Sequence, residues 1–310
     1  MAISSSSSFA IIRFLWMLLL MTCNHLHATL GCYTSIISLG DSLADTGNLK
    51  QLTIKSNSPP PHFLFPPYGE TFFHNPTAES FGMPLIPPYE VVKRNGVIKK
   101  GQGVNFAVAG ATALDSWFHE AHGVVNQCTN ASLGVQIKWF KHWLPSICTT
   151  ESGFGSDSHL RTFGYDMSWS FELESLILMG EIGGNDYNHP VMAGKSIDEL
   201  KPYVPLVINT IVSAINELID LGAETFVVPG NLPIGCSAAY LTIYSGSDES
   251  EYDNTTGCLI KLNNFAKYHN ELLQIALNQI REVHPEINII YADYYNAAML
   301  FFRSPDKYGT

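Results

Sequence analysis

Val204, Val207, Ile208, Ile211, Val212, Ile215, Leu218 and Ile219 recur at the three- and four-residue spacing of an amphipathic helix with one buried face. A short β-rich run at 225–228 follows, ending at the turn formers Gly230-Asn231-Leu232-Pro233. A second helical stretch near 259–283 stops before Pro285, and 287–291 supplies the next strand. Strand and helix therefore alternate, which predicts an α/β fold with a central, mainly parallel sheet and helices on both faces.

Earlier in the chain one arrangement occurs twice. Residues 34–39 form a β-rich run that stops at Gly40-Asp41-Ser42, with more turn formers at Asp45-Thr46-Gly47-Asn48. Residues 176–179 form another apolar run, ending in Gly180 and then Gly183-Gly184-Asn185-Asp186. The proline-rich stretch 56–67 is expected to be an extended surface loop. Residues 104–113 are small and apolar and end in Ala109-Gly110-Ala111, which permits close backbone approach. Open parallel sheets bind ligands at the carboxyl ends of their strands. Three such ends carry unusual polar chemistry here: Gly40-Asp41-Ser42, Gly183-Gly184-Asn185-Asp186 and Gly230-Asn231.

The extreme amino terminus follows another pattern. Polar residues 1–8 and the single basic Arg13 precede the unbroken apolar run 14–21, and small or polar residues follow around 28–31. This predicts a secretory signal peptide over 1–30, the run being too short for the roughly 20 residues of a bilayer span. No later stretch is expected to reach spanning length, so the mature chain, 31–310, is expected to be a single soluble domain without stable membrane insertion. Its 310 residues carry a formal net charge of −11 and no cluster of Lys and Arg, which argues against a nucleic-acid partner.

Cysteine usage fits an oxidising compartment. Removal of Cys23 with the leader leaves Cys32, Cys128, Cys148, Cys236 and Cys258, an odd number. Cys236 and Cys258 flank a polar loop and are candidates for a disulfide. No Cys-x-x-Cys or Cys/His ligand spacing is present, so neither a metal nor a cofactor is expected. Asn130-Ala131-Ser132 and Asn254-Thr255-Thr256 are candidate glycosylation sequons.

Ser42 follows a strand in a glycine-containing turn, where its hydroxyl and backbone N–H could both face a substrate. A serine hydroxyl needs a base to remove its proton and fixed N–H donors for the oxyanion. Residues 37–48, Ile-Ser-Leu-Gly-Asp-Ser-Leu-Ala-Asp-Thr-Gly-Asn, resemble the first block of the plant GDSL esterase/lipases. Residues 66–74, 103–111, 180–188 and 229–236 resemble successive further blocks of that family in its order. The resemblance implies a flavodoxin-like three-layer sandwich of the SGNH hydrolase type and a secreted carboxylic ester hydrolase working through an acyl-enzyme. It also implies that Ser42 is the nucleophile, with the Ser42 and Gly110 backbone N–H groups and the Asn185 side-chain amide forming the oxyanion hole. Physically, glycine lets the backbone approach the reacting centre, and an uncharged amide offers two donors. An Asx-turn after a strand is the alternative role for Asn185.

The family pattern further implies a base histidine three residues after an aspartate, near the carboxyl terminus. The chain reaches Thr310 before such a block and is read as holding no Asp-x-x-His sequence, so the Asp/His pair is expected to be absent and the domain incomplete there. A glycine-rich loop with the start of a helix is likewise expected to be missing between Pro76-Thr77 and Glu79-Ser80. His74, His119, His122 and His189 are read as solvated or hydrogen-bonded loop histidines, Asp293 as a strand-end turn former, and Asp41 as a hydrogen-bonding residue. Gly235-Cys236-Ser237-Ala238-Ala239 approaches a nucleophile elbow but ends in Ala, and is read as structural.

The substrate is expected to be a small-molecule or lipid ester, with lipid, acetylated-sugar and phenolic or alkaloid esters all open. Acyl transfer through the same site, or a binding-only paralogue lacking the Asp/His pair, are the alternatives. Oligomeric state cannot be read from the pattern.

Overall fold

The computed structural model describes residues 35–56, 86–95, 103–125, 128–146 and 175–308. Five parallel strands, β1 (Ser35–Ser38), β2 (Val104–Asn105), β3 (Ser175–Leu178), β4 (Thr225–Pro229) and β5 (Asn288–Ala292), form one sheet in the order β2-β1-β3-β4-β5. The chain steps from β1 to β2 on one side and then crosses back to β3 on the other. Because parallel crossovers are right-handed, that reversal sends the intervening helices to opposite faces and opens a crevice at the carboxyl end of β1. Ser42 lies just beyond that end.

The helices are α1 (Asn48–Lys55), α2 (Tyr89–Asn95), α3 (Ser116–Ala121), α4 (Leu133–Trp143), α5 (Asn185–Met192), α6 (Ile197–Leu200), α7 (Tyr203–Asp220), α8 (Ala238–Ile243), α9 (Ile260–Val283), α10 (Tyr294–Arg303) and α11 (Pro305–Tyr308). The stripe foreseen at 204–219 is the buried face of α7: Val204, Val207, Ile208, Ile211, Ile215 and Leu218 pack into the main core. Ile36, Ile37, Ile177 and Phe226 of the central strands are buried as well, as expected of strands covered on both faces.

Two expectations are corrected here. Residues 197–220 are long and apolar enough to cross a membrane, contrary to the reading that nothing after the leader is. That apolarity comes from the α7 stripe, whose residues line the protein core. Second, His119 and His189 lie in helices α3 and α5, not in loops. Residues 1–34, with the expected leader and Cys32, the proline-rich stretch from 57 onward, His74, Cys148 and the stretch near 78 where a deletion is expected lie outside the described residues.

The structure joins Cys236 to Cys258 through a disulfide that spans 22 residues of sequence. Cys236 packs with Cys258, Ala266, Tyr295 and Met299 in a small second core against α9 and α10.

Candidate active site

Gly180 and Gly40 let the ends of β3 and β1 cross closely. At Gly180, φ is +60°, and a Cβ would lie 2.0 Å from the Leu39 carbonyl oxygen, so no side chain fits. Asp41 N then donates to Glu181 O at 3.0 Å, zipping the two turns together beyond the sheet.

The turn carrying Ser42 is also clasped to the segment that follows β2. Gln136 of α4 accepts from Gly40 N at 2.9 Å and donates to Gly40 O at 2.8 Å. Asp45 caps the start of α1, accepting from Gly47 N at 2.7 Å, Asn48 N at 2.6 Å and Leu49 N at 3.1 Å, and it reaches across to Ala109 N at 2.9 Å. Asn48 spans the same gap, with its amide donating to Asn105 O and Ala107 O, both at 2.8 Å. Carboxylate and amide side chains thus help deliver residues 105–109 to the Ser42 loop with their backbone N–H groups satisfied. Gly110 itself has φ +84°, a left-handed conformation that favours glycine.

Asn185 begins α5 and gathers both segments. Its Nδ2 donates to Asp41 Oδ2 and to Ala111 O, each at 3.0 Å. Its Oδ1 accepts from Asn188 Nδ2 at 3.2 Å, and Asn188 Oδ1 accepts from the Tyr240 hydroxyl at 2.8 Å. This chain fixes which way the amide faces. Ser42 is exposed, and its hydroxyl and N–H, like the Gly110 N–H, find no hydrogen-bond partner among the described residues. Three residues singled out from sequence are therefore drawn into one neighbourhood, although both amide hydrogens of Asn185 are engaged in this state.

Behind that surface lies a buried acidic cluster. Asp41 accepts from Leu43 N at 3.0 Å, and the buried Glu181 lies beside it. Burial raises the pKa of Asp41, and burial followed by repulsion from Asp41 raises that of Glu181 well above the carboxylate range. Asp186 accepts from Ala113 N at 2.7 Å, Leu114 N at 3.0 Å and His119 Nε2 at 3.1 Å.

The histidines need one further correction. An Asp-x-x-His sequence does occur, Asp186-Tyr187-Asn188-His189, although the chain was read as holding none. It does not form an acid–histidine pair: Asp186 bonds His119, and His189 Nε2 donates to Gly110 O at 3.0 Å. His119 and Asp186 are wholly buried and pin α3 to α5. No histidine among the described residues hydrogen-bonds Ser42. Asp293 caps α10 through Asn296 N at 3.0 Å, and Ser237 caps α8 through Tyr240 N at 3.4 Å, so both have structural roles.

Sequence reasoning passed over Glu181, Gln136, Asn48 and Asn188. Glu181 left a trace as an acidic residue inside a glycine-rich turn, and Asn48 only as a turn former.

Of the sequon asparagines, Asn130 and Asn254 are both exposed. A cavity of about 670 Å³ lies elsewhere, among Ile197, Lys201, Ile260, Phe265 and Tyr268, and is lined by none of the three site residues. Among the described residues no cluster of His, Cys, Asp and Glu is arranged to hold a metal ion.

Comparison with known proteins places these residues in a family. Residues 36–307 match the family model described as GDSL-like lipase/acylhydrolase. The chain is 49% identical over 290 residues to GDSL esterase/lipase At1g28570 of Arabidopsis thaliana, covering 89% of this chain and 70% of that protein. It is 51% identical over 291 residues to GDSL esterase/lipase At1g31550 of the same plant, covering 89% and 68%. It is 47% identical over 290 residues to the sinapine esterase of Brassica napus, covering 89% and 70%. The chain belongs to the GDSL lipase/acylhydrolase family of serine ester hydrolases.

Proposed function

We propose that Ser42 is the nucleophile of this ester hydrolase and that the Ser42 N–H, the Gly110 N–H and the Asn185 amide receive the oxyanion. The reading is carried by one observation: a single amide, Asn185 Nδ2, bonds both the residue before Ser42 and the residue after Gly110. The N–H groups of Ser42 and Gly110, which have no hydrogen-bond partner among the described residues, support it, since an oxyanion needs preset donors. As the ester oxygen gains charge, the Asn185 hydrogen now on Ala111 O turns to it, while the hydrogen on Asp41 keeps the amide aligned. The alcohol leaves, and water hydrolyses the acyl-Ser42 intermediate.

The reading calls for a base from outside the described residues. Residues 31–310 are therefore assayed beside a chain extended through the family's Asp-x-x-His block. A panel of small-molecule esters headed by sinapine, after the name of the Brassica relative, tests the substrate class. Ser42→Ala is expected to lower kcat at least about a thousandfold in the active form; unchanged turnover would remove Ser42 from the mechanism.

A binding-only role is favoured by one observation, that both Asn185 hydrogens are already satisfied. Background turnover in both forms, with retained ester binding, supports that second reading. Entry into the secretory route is proposed from the apolar run at 14–21 and the Cys236–Cys258 disulfide. Glycosylation at Asn130 and Asn254 follows from the same route and from their exposure.

A further inference from the structure

We propose that Glu181 is the proton-bearing member of a buried carboxyl pair with Asp41, and that by donating to the Asp41 carboxylate it positions Asn185. The inference deepens the Ser42 reading and rests on it only for its bearing on catalysis.

Asp41 is 3% exposed and Glu181 8%; Asp41 N bonds Glu181 O, Asp41 Oδ2 takes the Asn185 amide, and Glu181 Oε1 lies over Gly184, the residue before Asn185, so the two carboxyls share one buried corner. Two carboxylates have four acceptor oxygens and no donor between them, so a hydrogen bond joining them requires one proton. No Lys or Arg pairs with either group among the described residues, and no metal-holding cluster is formed there, so a proton is the neutralising charge.

Asp41 is the better carboxylate. It already accepts from Leu43 N and Asn185 Nδ2, which stabilise its charge. Glu181 meets no such donors among the described residues. Its Oε1 is pressed over the Gly184 backbone, where a Cβ would sit only 2.6 Å away, and burial disfavours its anion. The Glu181 O–H therefore points to Asp41.

The remaining groups facing the pair reinforce this assignment. Asp186 of α5 repels further negative charge on both carboxyls. His189 of α5 acts on Asp41 in the opposite sense. Tyr187 of α5 and Tyr294 of α10 are the remaining titratable neighbours, and each phenol is itself pushed up, with Glu181 among the causes. Ionising Glu181 would leave three carboxylates together, break its bond to Asp41 and free Asp41 to move away from Asn185.

Infrared spectra of the 31–310 chain test this without turnover. At neutral pH a protonated-carboxyl C=O band is expected, which shifts when glutamate side chains are ¹³C-labelled and not when aspartates are. Absence of the band, or a shift with aspartate label alone, overturns the assignment. Glu181→Gln keeps a donor to Asp41 and cannot ionise. Its Tm advantage over wild type should therefore grow by roughly 2–4 °C per pH unit above the ordinary carboxylate range. A difference independent of pH overturns it.

Positioning is read from the Asn185 side-chain amide resonances, assigned by their loss in Asn185→Ala. They are expected to shift in Glu181→Leu and to stay in place in Glu181→Gln; resonances unmoved in Glu181→Leu refute the positioning role. If Ser42→Ala leaves turnover intact while these signals behave as stated, the nucleophile reading falls and the carboxyl pair stands.

Discussion

Asn185 Nδ2 lies 3.0 Å from Asp41 Oδ2, so the first residue of α5 is bonded to the residue immediately before Ser42. One side chain therefore couples two strand ends, and its removal should be felt in both chemistry and stability. Asn185→Ala loses the bonds to Asp41 and Ala111 O and leaves Asp41, a buried acceptor, short of a donor. Ester turnover in the active form is expected to fall about 10²- to 10³-fold. Denaturant unfolding should show a loss of roughly 1–3 kcal/mol. A large stability loss with unchanged kcat would make Asn185 a structural clamp only.

Gly110 tests the second donor from the side of sterics. A Cβ there would stand 2.5 Å from Cys128 Cβ, and φ is +84°, so Gly110→Ala meets both a clash and a strained backbone. The expected cost is about 1–3 kcal/mol, together with lost turnover as the N–H is displaced. Cys128→Ala keeps the clashing Cβ and should not rescue; Cys128→Gly relieves the contact and should recover part of the stability. Equal rescue by both would show that the thiol, not the Cβ, is the obstacle.

These residues differ in how far the sequence could reveal them. The strand ends were legible because β1, β3 and β4 are apolar runs stopped by glycine and polar turn formers. α7 and α9 were legible from helical spacing. α5 was hidden: it carries Pro190 in its interior and a polar, aromatic first turn, which locally read as a loop. The family blocks named Ser42, Gly110 and Asn185. The clasp around them was not readable, because Gln136 reaches Gly40 across 96 residues and Asn48 reaches Ala107 across 59. Glu181 was hidden for another reason. An acid in a glycine turn normally faces water, and its burial follows only from the close approach of the β1 and β3 ends.

The disulfide gives a prediction independent of the site. Cys236 and Cys258 close a loop of 22 residues beside the Ser237 cap of α8, whose Tyr240 holds Asn188. A cross-link of that length restricts the unfolded chain by about 3 kcal/mol. Cys236→Ala/Cys258→Ala should therefore lower the unfolding free energy by about that amount, measured by denaturant titration against the oxidised protein. A loss below about 0.5 kcal/mol would mean that packing of Tyr295 and Met299, not the covalent bond, holds this corner.

His269 sets the expected acid limit of the fold. It is wholly enclosed on α9, its Nδ1 lies 2.8 Å from the Tyr187 hydroxyl, and burial lowers its pKa to about 3. Because the neutral ring is the buried form, the phenol donates to Nδ1. The unfolded chain binds a proton at His269 below its ordinary value near 6.5, whereas the folded chain refuses it until about pH 3. Stability from this group is therefore complete above pH 6.5 and drains away as pH falls toward 3, by on the order of 5 kcal/mol in all. His269→Gln cannot titrate and keeps an acceptor for Tyr187. Its unfolding free energy should fall below that of wild type at pH 8 through imperfect packing, with the gap closing or reversing by pH 5. Parallel pH profiles for the two proteins would show that His269 is not the group that limits the fold in acid.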